Sequence, residues 1–290
     1  MDSSPSFLVR NEFLIRRLHS LSGLIPVGAY MVVHLIVNAS ILESEATFQK
    51  NVHQIHSLGS LLPVVEWGFI FLPLIFHAVF GFVIIRGGLP NQNSYPYGAN
   101  FRYSLQRASG MIAMVFIFFH VFHLHGWFHT EGWLETAKNL NGANFRPFNA
   151  ASSLHLALRG FAMPALYMIG VAACVFHLAN GIWTMGITWG AWVSPAAQKR
   201  AGWVCLLFGL ALMVFSCSAM VGVKKVDLER ALEVENNAVE VRLKTGEISE
   251  EAAEHKRFDT EELEKAEEAA RKQKEAVDDN GDDAIAEATE

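Results

Sequence analysis

Hydrophobic residues along the chain are concentrated in five long runs that polar segments separate. The runs cover residues 21–42, 62–85, 108–128, 160–188 and 201–223. Each run is long enough to cross a bilayer, which takes roughly 20 mostly apolar residues. Because the bilayer core offers no water to backbone polar groups, such segments must be helices. The pattern therefore predicts an all-α fold, an integral membrane bundle of five transmembrane helices.

The pattern changes after residue 223. Residues 1–223 carry a net charge of +5, whereas residues 224–290, which we call the tail, carry −11. Opposite charges recur three or four residues apart in the tail, a spacing typical of an exposed helix, and no continuous apolar stripe accompanies them. We predict two domains: a membrane domain at 1–223, and an acidic, soluble tail at 224–290 that is partly helical and becomes disordered near "DDNGDDAIAEATE".

The basic residues outside the runs predict the orientation. Cytoplasmic loops of membrane proteins carry an excess of Lys and Arg. Eight basic residues fall on one side and four on the other, namely Arg10, Arg16, Arg17, Arg86, Arg102, Arg107, Lys199 and Arg200 against Lys50, Lys138, Arg146 and Arg159. We therefore expect the N-terminus in the cytoplasm, five crossings of the membrane, and the tail outside. The membrane that we expect is the inner (cytoplasmic) membrane of a bacterium.

Histidines are the informative exceptions inside the apolar runs. Six of the twelve lie there, namely His34, His77, His120, His123, His125 and His177. Ionisable groups at this depth usually face the bundle interior and mark function. His77 in "LPLIFHAVFG" and His177 in "VFHLANG" are each followed four residues later by a glycine, Gly81 or Gly181. Residues at i and i+4 share a helix face, so these glycines would leave room for a flat macrocycle, although small residues also allow close helix packing.

The depth of the histidines sorts four of them into two pairs. Counted from the flanking arginines at about 1.5 Å per residue, His34 and His120 lie in the outer half of the bilayer, and His77 and His177 in the inner half. Two levels with two imidazoles each suit two bis-histidine haems stacked across the membrane. His123, three residues beyond His120, competes with it as the ligand on the third helix, and we favour His120.

Other metal sites fit the residues less well. Zinc prefers four ligands at one level, and di-iron bundle sites use Glu-x-x-His pairs, which the sequence lacks. The three cysteines form no CxxC or CxxCH motif, so any haem would be held non-covalently. A histidine-based proton channel or carrier and a non-redox structural anchor stay as alternatives. His19, at the edge of the first run, is interpreted as an interfacial polar residue.

Several stretches resemble the membrane cytochrome b subunit of succinate dehydrogenase and fumarate reductase, in its five-helix, two-haem form. They are "FLIRRLHSLSGLIPVG" (13–28), "HLIVN" (34–38), "FLPLIFHAVFG" (71–81), "QRASGMI" (106–112), "FHLANGIW" (176–183) and "TWG" (188–190). The likeness covers about residues 8–222. It implies two haem b groups with the axial ligands His34 and His120 for the outer haem, and His77 and His177 for the inner haem.

The resemblance also implies the partners and the reaction. A flavoprotein and an iron–sulfur subunit on the cytoplasmic side would carry the dicarboxylate chemistry, and no nucleic acid is expected. This chain would anchor them in the lipid bilayer and pass electrons through the inner and outer haems to a quinone, for which menaquinone is our candidate. The physiological direction stays open. Quinone reduction consumes protons, and Glu66, the single acid in any apolar run, is our candidate for supplying them; a solvated interfacial carboxylate is the rival interpretation.

Overall fold

The computed structural model describes residues 10–87, 92–128 and 130–287, which form helices and connecting segments without a β-strand. The helices are α1 Glu12–Leu24, α2 Val27–Ala39, α3 Glu45–His56, α4 Leu62–Arg86, α5 Gly98–His125, α6 Glu131–Asn139, α7 Ala150–Ala157, α8 Ala162–Thr188, α9 Pro195–Lys224, α10 Leu228–Thr245, α11 Glu250–Lys256 and α12 Thr260–Glu287. The predicted all-α class is confirmed.

Five helical stretches within the described residues are long and apolar enough to cross a membrane: Glu12–Leu42, Leu62–Arg86, Gly98–His125, Ala162–Thr188 and Pro195–Lys224. The five predicted spans are therefore confirmed, and the first begins nine residues before the apolar run does. That span is interrupted between α1 and α2, where Ile25 is extended and precedes Pro26. Proline lacks a backbone N–H and disfavours helical geometry in the residue before it, which explains the break.

The chain divides into two compact units. Unit 1 comprises residues 1–36, 59–119 and 165–217. Its core contains Leu35 of α2, Val175 and Leu178 of α8, and Leu212 of α9. Large apolar side chains are exposed on its helices, among them Val33, Val79, Val115, Ile169 and Leu207. Such exposure is expected where lipid tails, rather than water, surround a bundle.

Basic residues at one end of unit 1 bind aromatic rings and helix ends. The Arg107 guanidinium donates to the carbonyl of Ile85 at 2.6 Å, near the C-terminus of α4. The Arg17 guanidinium lies 5.0 Å from the centre of the Trp189 ring. These contacts are favourable because helix C-termini and aromatic faces both attract cations. Arg17 and Arg107, two of the basic residues from which we predict the cytoplasmic side, therefore lie at this end of unit 1.

Unit 2 comprises residues 37–58, 120–164 and 218–290. It joins the tail helices to the loop helices α3, α6 and α7, and α10 packs against α3, α7 and α12. The tail is helical, as expected, but α12 continues to Glu287 through the stretch where we expected disorder, and α10 is not solvated on all sides. It buries Leu228, Ala231, Leu232, Glu235 and Val239, which have helical spacing. This stripe is not a continuous apolar pattern in the sequence because a glutamate interrupts it.

Acidic residues of the tail pair with basic residues of the loops. Arg146 binds Glu262, the Lys138 ammonium lies 2.9 Å from Asp259, and a ring nitrogen of His53 lies 2.8 Å from Glu247. In one pair the charges are exchanged, because Arg230 of the tail binds the buried Glu45 of the loop helix α3 at 2.6 Å. The contacts agree with an odd number of crossings, which leaves the tail on the same side of the bilayer as these loops.

Glu235 is a carboxylate at the centre of unit 2, with no exposed surface. Its Oε1 accepts hydrogen bonds from the backbone N–H groups of Ala151 at 2.7 Å and Ser152 at 3.1 Å, in the first turn of α7. Its Oε2 accepts from the Ser152 hydroxyl at 2.5 Å and the Asn149 amide at 3.3 Å. The first N–H groups of a helix have no partner within it, so this tail residue caps α7.

Candidate functional site

His77 of α4 and His177 of α8, the predicted inner pair, lie close together in unit 1. Their ring centres are 6.0 Å apart and their planes are at 83°. Two imidazoles that bind one metal ion from opposite sides, each through a bond of about 2 Å, have ring centres roughly 6 Å apart. The structure thus brings these two residues to a separation that suits a shared iron.

The hydrogen bonds of the two rings select the nitrogen that is available to a metal. The Nδ1 of His77 lies 2.8 Å from the carbonyl oxygen of His19, and the Nδ1 of His177 lies 3.0 Å from that of Gln106. A carbonyl can only accept, so each Nδ1 carries the proton and each Nε2 keeps its lone pair. Metal-binding histidines typically have their second nitrogen fixed in this way. The donor set and its tautomers therefore fit a bis-imidazole haem.

Two glycines bring helix backbones against the rings. A Cβ added at Gly23 of α1 would lie 2.3 Å from the Cε1 of His77, and one at Gly110 of α5 would lie 2.7 Å from the Cε1 of His177. Side chains at these positions would push the imidazoles away. Both glycines belong to stretches that carry the family resemblance, "HSLSG" and "QRASG", but their register opposite the histidines follows only from the packing of the helices.

Gly81 and Gly181, the glycines selected from the sequence, face other side chains. A Cβ at Gly81 would lie 3.1 Å from the Cε1 of His19, and one at Gly181 would lie 3.2 Å from the Nε2 of Gln106. Here the missing side chains leave room for an imidazole and an amide. Contact between these two glycines and a cofactor stays a prediction.

His19 is a neighbour of the site that the sequence alone did not reveal. Its ring stacks on that of His77, with centres 4.0 Å apart and an angle of 12° between the planes. Its carbonyl holds the Nδ1 of His77, whereas its own Nδ1 is buried without a hydrogen-bond partner in the described part of the chain. The signal was obscured because the apolar run begins at residue 21, whereas the helix begins at Glu12.

His34, a residue of the predicted outer pair, lies beside Tyr30 in unit 1, with ring centres 5.5 Å apart. Tyr30 is in turn close enough to Glu66 for an electrostatic interaction. Glu66 is half-buried and begins a turn of π-helix, Glu66–Phe71, within α4. The structure therefore gathers the candidate acid, a phenol and the candidate ligand in one region of unit 1.

His120 and His123 belong to unit 2. His120 ends the regular part of α5, and a π-helical turn, Val121–His125, follows it. The His123 side chain is almost fully buried, and its carbonyl accepts from the Asn144 side-chain amide at 2.9 Å. Because His34 belongs to unit 1, the pairing of His34 with His120, and the preference for His120 over His123, stay predictions from the sequence.

Comparison with known proteins finds a similarity that covers most of the chain. No protein-family model matches the chain. The chain is similar to the succinate dehydrogenase cytochrome b558 subunit of Bacillus subtilis (strain 168), with 34% identity over 209 residues. The matched part is 72% of this chain and 96% of that protein. The similarity thus extends over nearly the whole relative and leaves more than a quarter of this chain outside it.

Proposed function

Because this chain belongs to the family of succinate dehydrogenase cytochrome b subunits, we propose that it anchors the flavoprotein and iron–sulfur subunits and conducts electrons from the iron–sulfur partner, through two haem b groups, to menaquinone. Haem, when bound, supplies one-electron redox chemistry. The observation that carries the proposal is the inner pair: His77 and His177 have ring centres 6.0 Å apart, and a backbone carbonyl binds the Nδ1 of each.

Four histidines hold the haems in this proposal. His77 and His177 would bind the inner one through Nε2, since their Nδ1 atoms are committed to carbonyls. His34 and His120 would bind the outer one, an assignment that rests on their depth in the sequence and on the resemblance. Non-covalent binding follows from the absence of a CxxCH motif in the sequence.

The partner subunits would dock on the cytoplasmic side, at the end of unit 1 that contains Arg17, Arg102 and Arg107. The excess of basic residues on that side supports this orientation. Five crossings would then place the tail and the loop helices α3, α6 and α7 outside the inner membrane of the bacterium.

A purified chain tests the proposal through its reduced-minus-oxidised absorption spectrum. We expect two low-spin haem b groups per polypeptide, and co-purification with a flavoprotein and an iron–sulfur protein from the native membrane. A histidine-based proton channel or a purely structural anchor would need no haem, so a chain that folds and inserts without haem would rule out the proposal in favour of these alternatives.

Glu66→Gln is expected to slow quinone reduction by about 100-fold, a typical contribution of general acid catalysis. The carboxyl group would supply protons to the quinone; Tyr30 lies within range of its charge, and His34 lies beside Tyr30. The measurement is the rate of quinone reduction by succinate in the assembled complex, together with succinate oxidation by a soluble dye, which should not change. Glu12→Gln, on α1, is the matched control. An unchanged quinone rate in Glu66→Gln would return Glu66 to the role of an interfacial carboxylate.

A further inference from the structure

Gln106 forms a two-way bridge between α5 and α8 at His177. Its backbone carbonyl accepts from the Nδ1 of His177 at 3.0 Å, and its side-chain Nε2 donates to the backbone carbonyl of His177 at 3.0 Å. The His177 residue is thus held at both its ring and its backbone by one residue of the facing helix. Two bonds to one partner fix the ring direction more tightly than a single bond does.

Asn180 and Arg102 hold the Gln106 side chain in place. The Asn180 Nδ2 donates to the Gln106 Oε1 at 2.8 Å, and the Arg102 Nε donates to the Asn180 Oδ1 at 2.9 Å. Asn180 is 3% exposed, so its amide has little access to solvent and depends on these partners. The Arg102 guanidinium also lies 3.7 Å from the centre of the Trp183 ring. An unbroken series of hydrogen bonds therefore runs from a cation to His177.

Gly181 provides the space that this arrangement needs. A Cβ at Gly181 would lie 3.2 Å from the Gln106 Nε2, the atom that donates to the His177 carbonyl. In the segment "HLANG", His177, Asn180 and Gly181 thus act on the same glutamine, which explains why the glycine follows the histidine at one helical turn.

We propose that Gln106, held by Asn180 and Arg102, is a positioning residue that fixes the imidazole of His177 and sets the redox potential of the inner haem. The proposal rests on the proposed function, since it takes His177 as an axial ligand. The bond from Nδ1–H to the Gln106 carbonyl would increase electron donation by the imidazole to a bound haem iron and would favour its oxidised state. Loosening the bridge weakens that bond, so the inner haem becomes easier to reduce.

The test is a redox titration of the haem-loaded chain carrying Gln106→Leu, which removes the amide but keeps a similar volume. At a fixed ambient potential we expect the ratio of reduced to oxidised inner haem to rise by about tenfold, equivalent to 59 mV for one electron, while the outer haem keeps its potential. A changed low-temperature electron paramagnetic resonance signal of the inner haem should accompany the shift. Ser104→Ala, on the same helix but outside the series of bonds, is the control and should titrate as the unmodified chain does.

A second variant covers the case in which Gln106→Leu loses the inner haem. Asn180→Leu removes both the donor to Gln106 and the acceptor for Arg102 without adding a charge near the haem, so a smaller shift of the same haem in the same direction is expected. Unchanged potentials of both haems, or a shift of the outer haem alone, would overturn the proposal. If the unmodified chain contained no haem, the proposed function would fail instead, and the two failures are thereby distinguished.

Discussion

His177→Leu is expected to halve the haem b content of the purified chain and to remove most of the electron transfer to quinone. The variant removes one of the two imidazoles of the inner pair. The remaining ring, that of His77, has its Nδ1 bound to the His19 carbonyl and therefore offers a single nitrogen to the iron. We expect succinate-dependent quinone reduction to fall by at least about 100-fold, since even indirect partners of metal ligands contribute about 10- to 100-fold. The measurements are pyridine haemochrome content and quinone reduction in isolated membranes.

Three further variants show whether the loss is specific. His77→Leu should remove the same haem, recognised by its potential, whereas His34→Leu should remove the other. His155→Leu is the matched control, because the His155 Nδ1 also binds a backbone carbonyl, that of Val223 at 2.7 Å, yet His155 lies in α7 outside the apolar runs. Full haem content in His177→Leu, or loss of both haems in His155→Leu, would contradict the assignment of the inner pair.

Glu235→Ala is expected to destabilise unit 2 by about 3 kcal/mol. The substitution leaves the backbone N–H groups of Ala151 and Ser152 and the Ser152 hydroxyl without their acceptor in a fully buried position. Each buried polar group that loses its partner costs about 1–3 kcal/mol. Hydrogen exchange of the α7 and α10 amides in the detergent-solubilised chain measures this loss, and Glu235→Gln, which retains an acceptor oxygen, should lose much less.

Glu235 also predicts a pH dependence of unit 2. Burial raises the pKa of its carboxyl from 4.5 to about 7, although four hydrogen bonds favour the charged form. At a pH between these two values, the Glu235 carboxyl is therefore protonated in the folded state and ionised in the unfolded state. The free energy of unfolding falls as the pH rises from about 4.5 to about 7, by about 3 kcal/mol in total, and this contribution is constant above and below that window.

The difference between the unmodified chain and Glu235→Gln isolates the effect of the Glu235 carboxyl from that of every other ionisable group. Hydrogen exchange of both proteins is measured at pH 5 and at pH 8. On going to the higher pH, the α10 amides of the unmodified chain should lose more protection than those of the variant. Equal changes in the two proteins would show that Glu235 does not bind the proton.

The sequence predicted the parts of the molecule that depend on composition and on local spacing. The five spans follow from apolar runs that only a bilayer would tolerate, and His77 and His177 are conspicuous because an imidazole in such a run is costly. Their contacts with His19 and Gln106 join residues 58 and 71 positions apart, and no local pattern specifies such pairs. The same limit applies to the capping of α7 by Glu235, which is 83 residues from Ser152.

The discontinuous make-up of unit 2 dictates an order of assembly. Residues 37–58 and 120–164 are made early, yet their buried partners on α10 follow the last membrane span. The backbone N–H groups of Ala151 and Ser152 therefore cannot bind Glu235 until the ribosome has nearly finished the chain. A chain that stalled or was cleaved after α9 would retain all five spans but would present an unfinished surface at α3 and α7, which quality-control proteases could recognise.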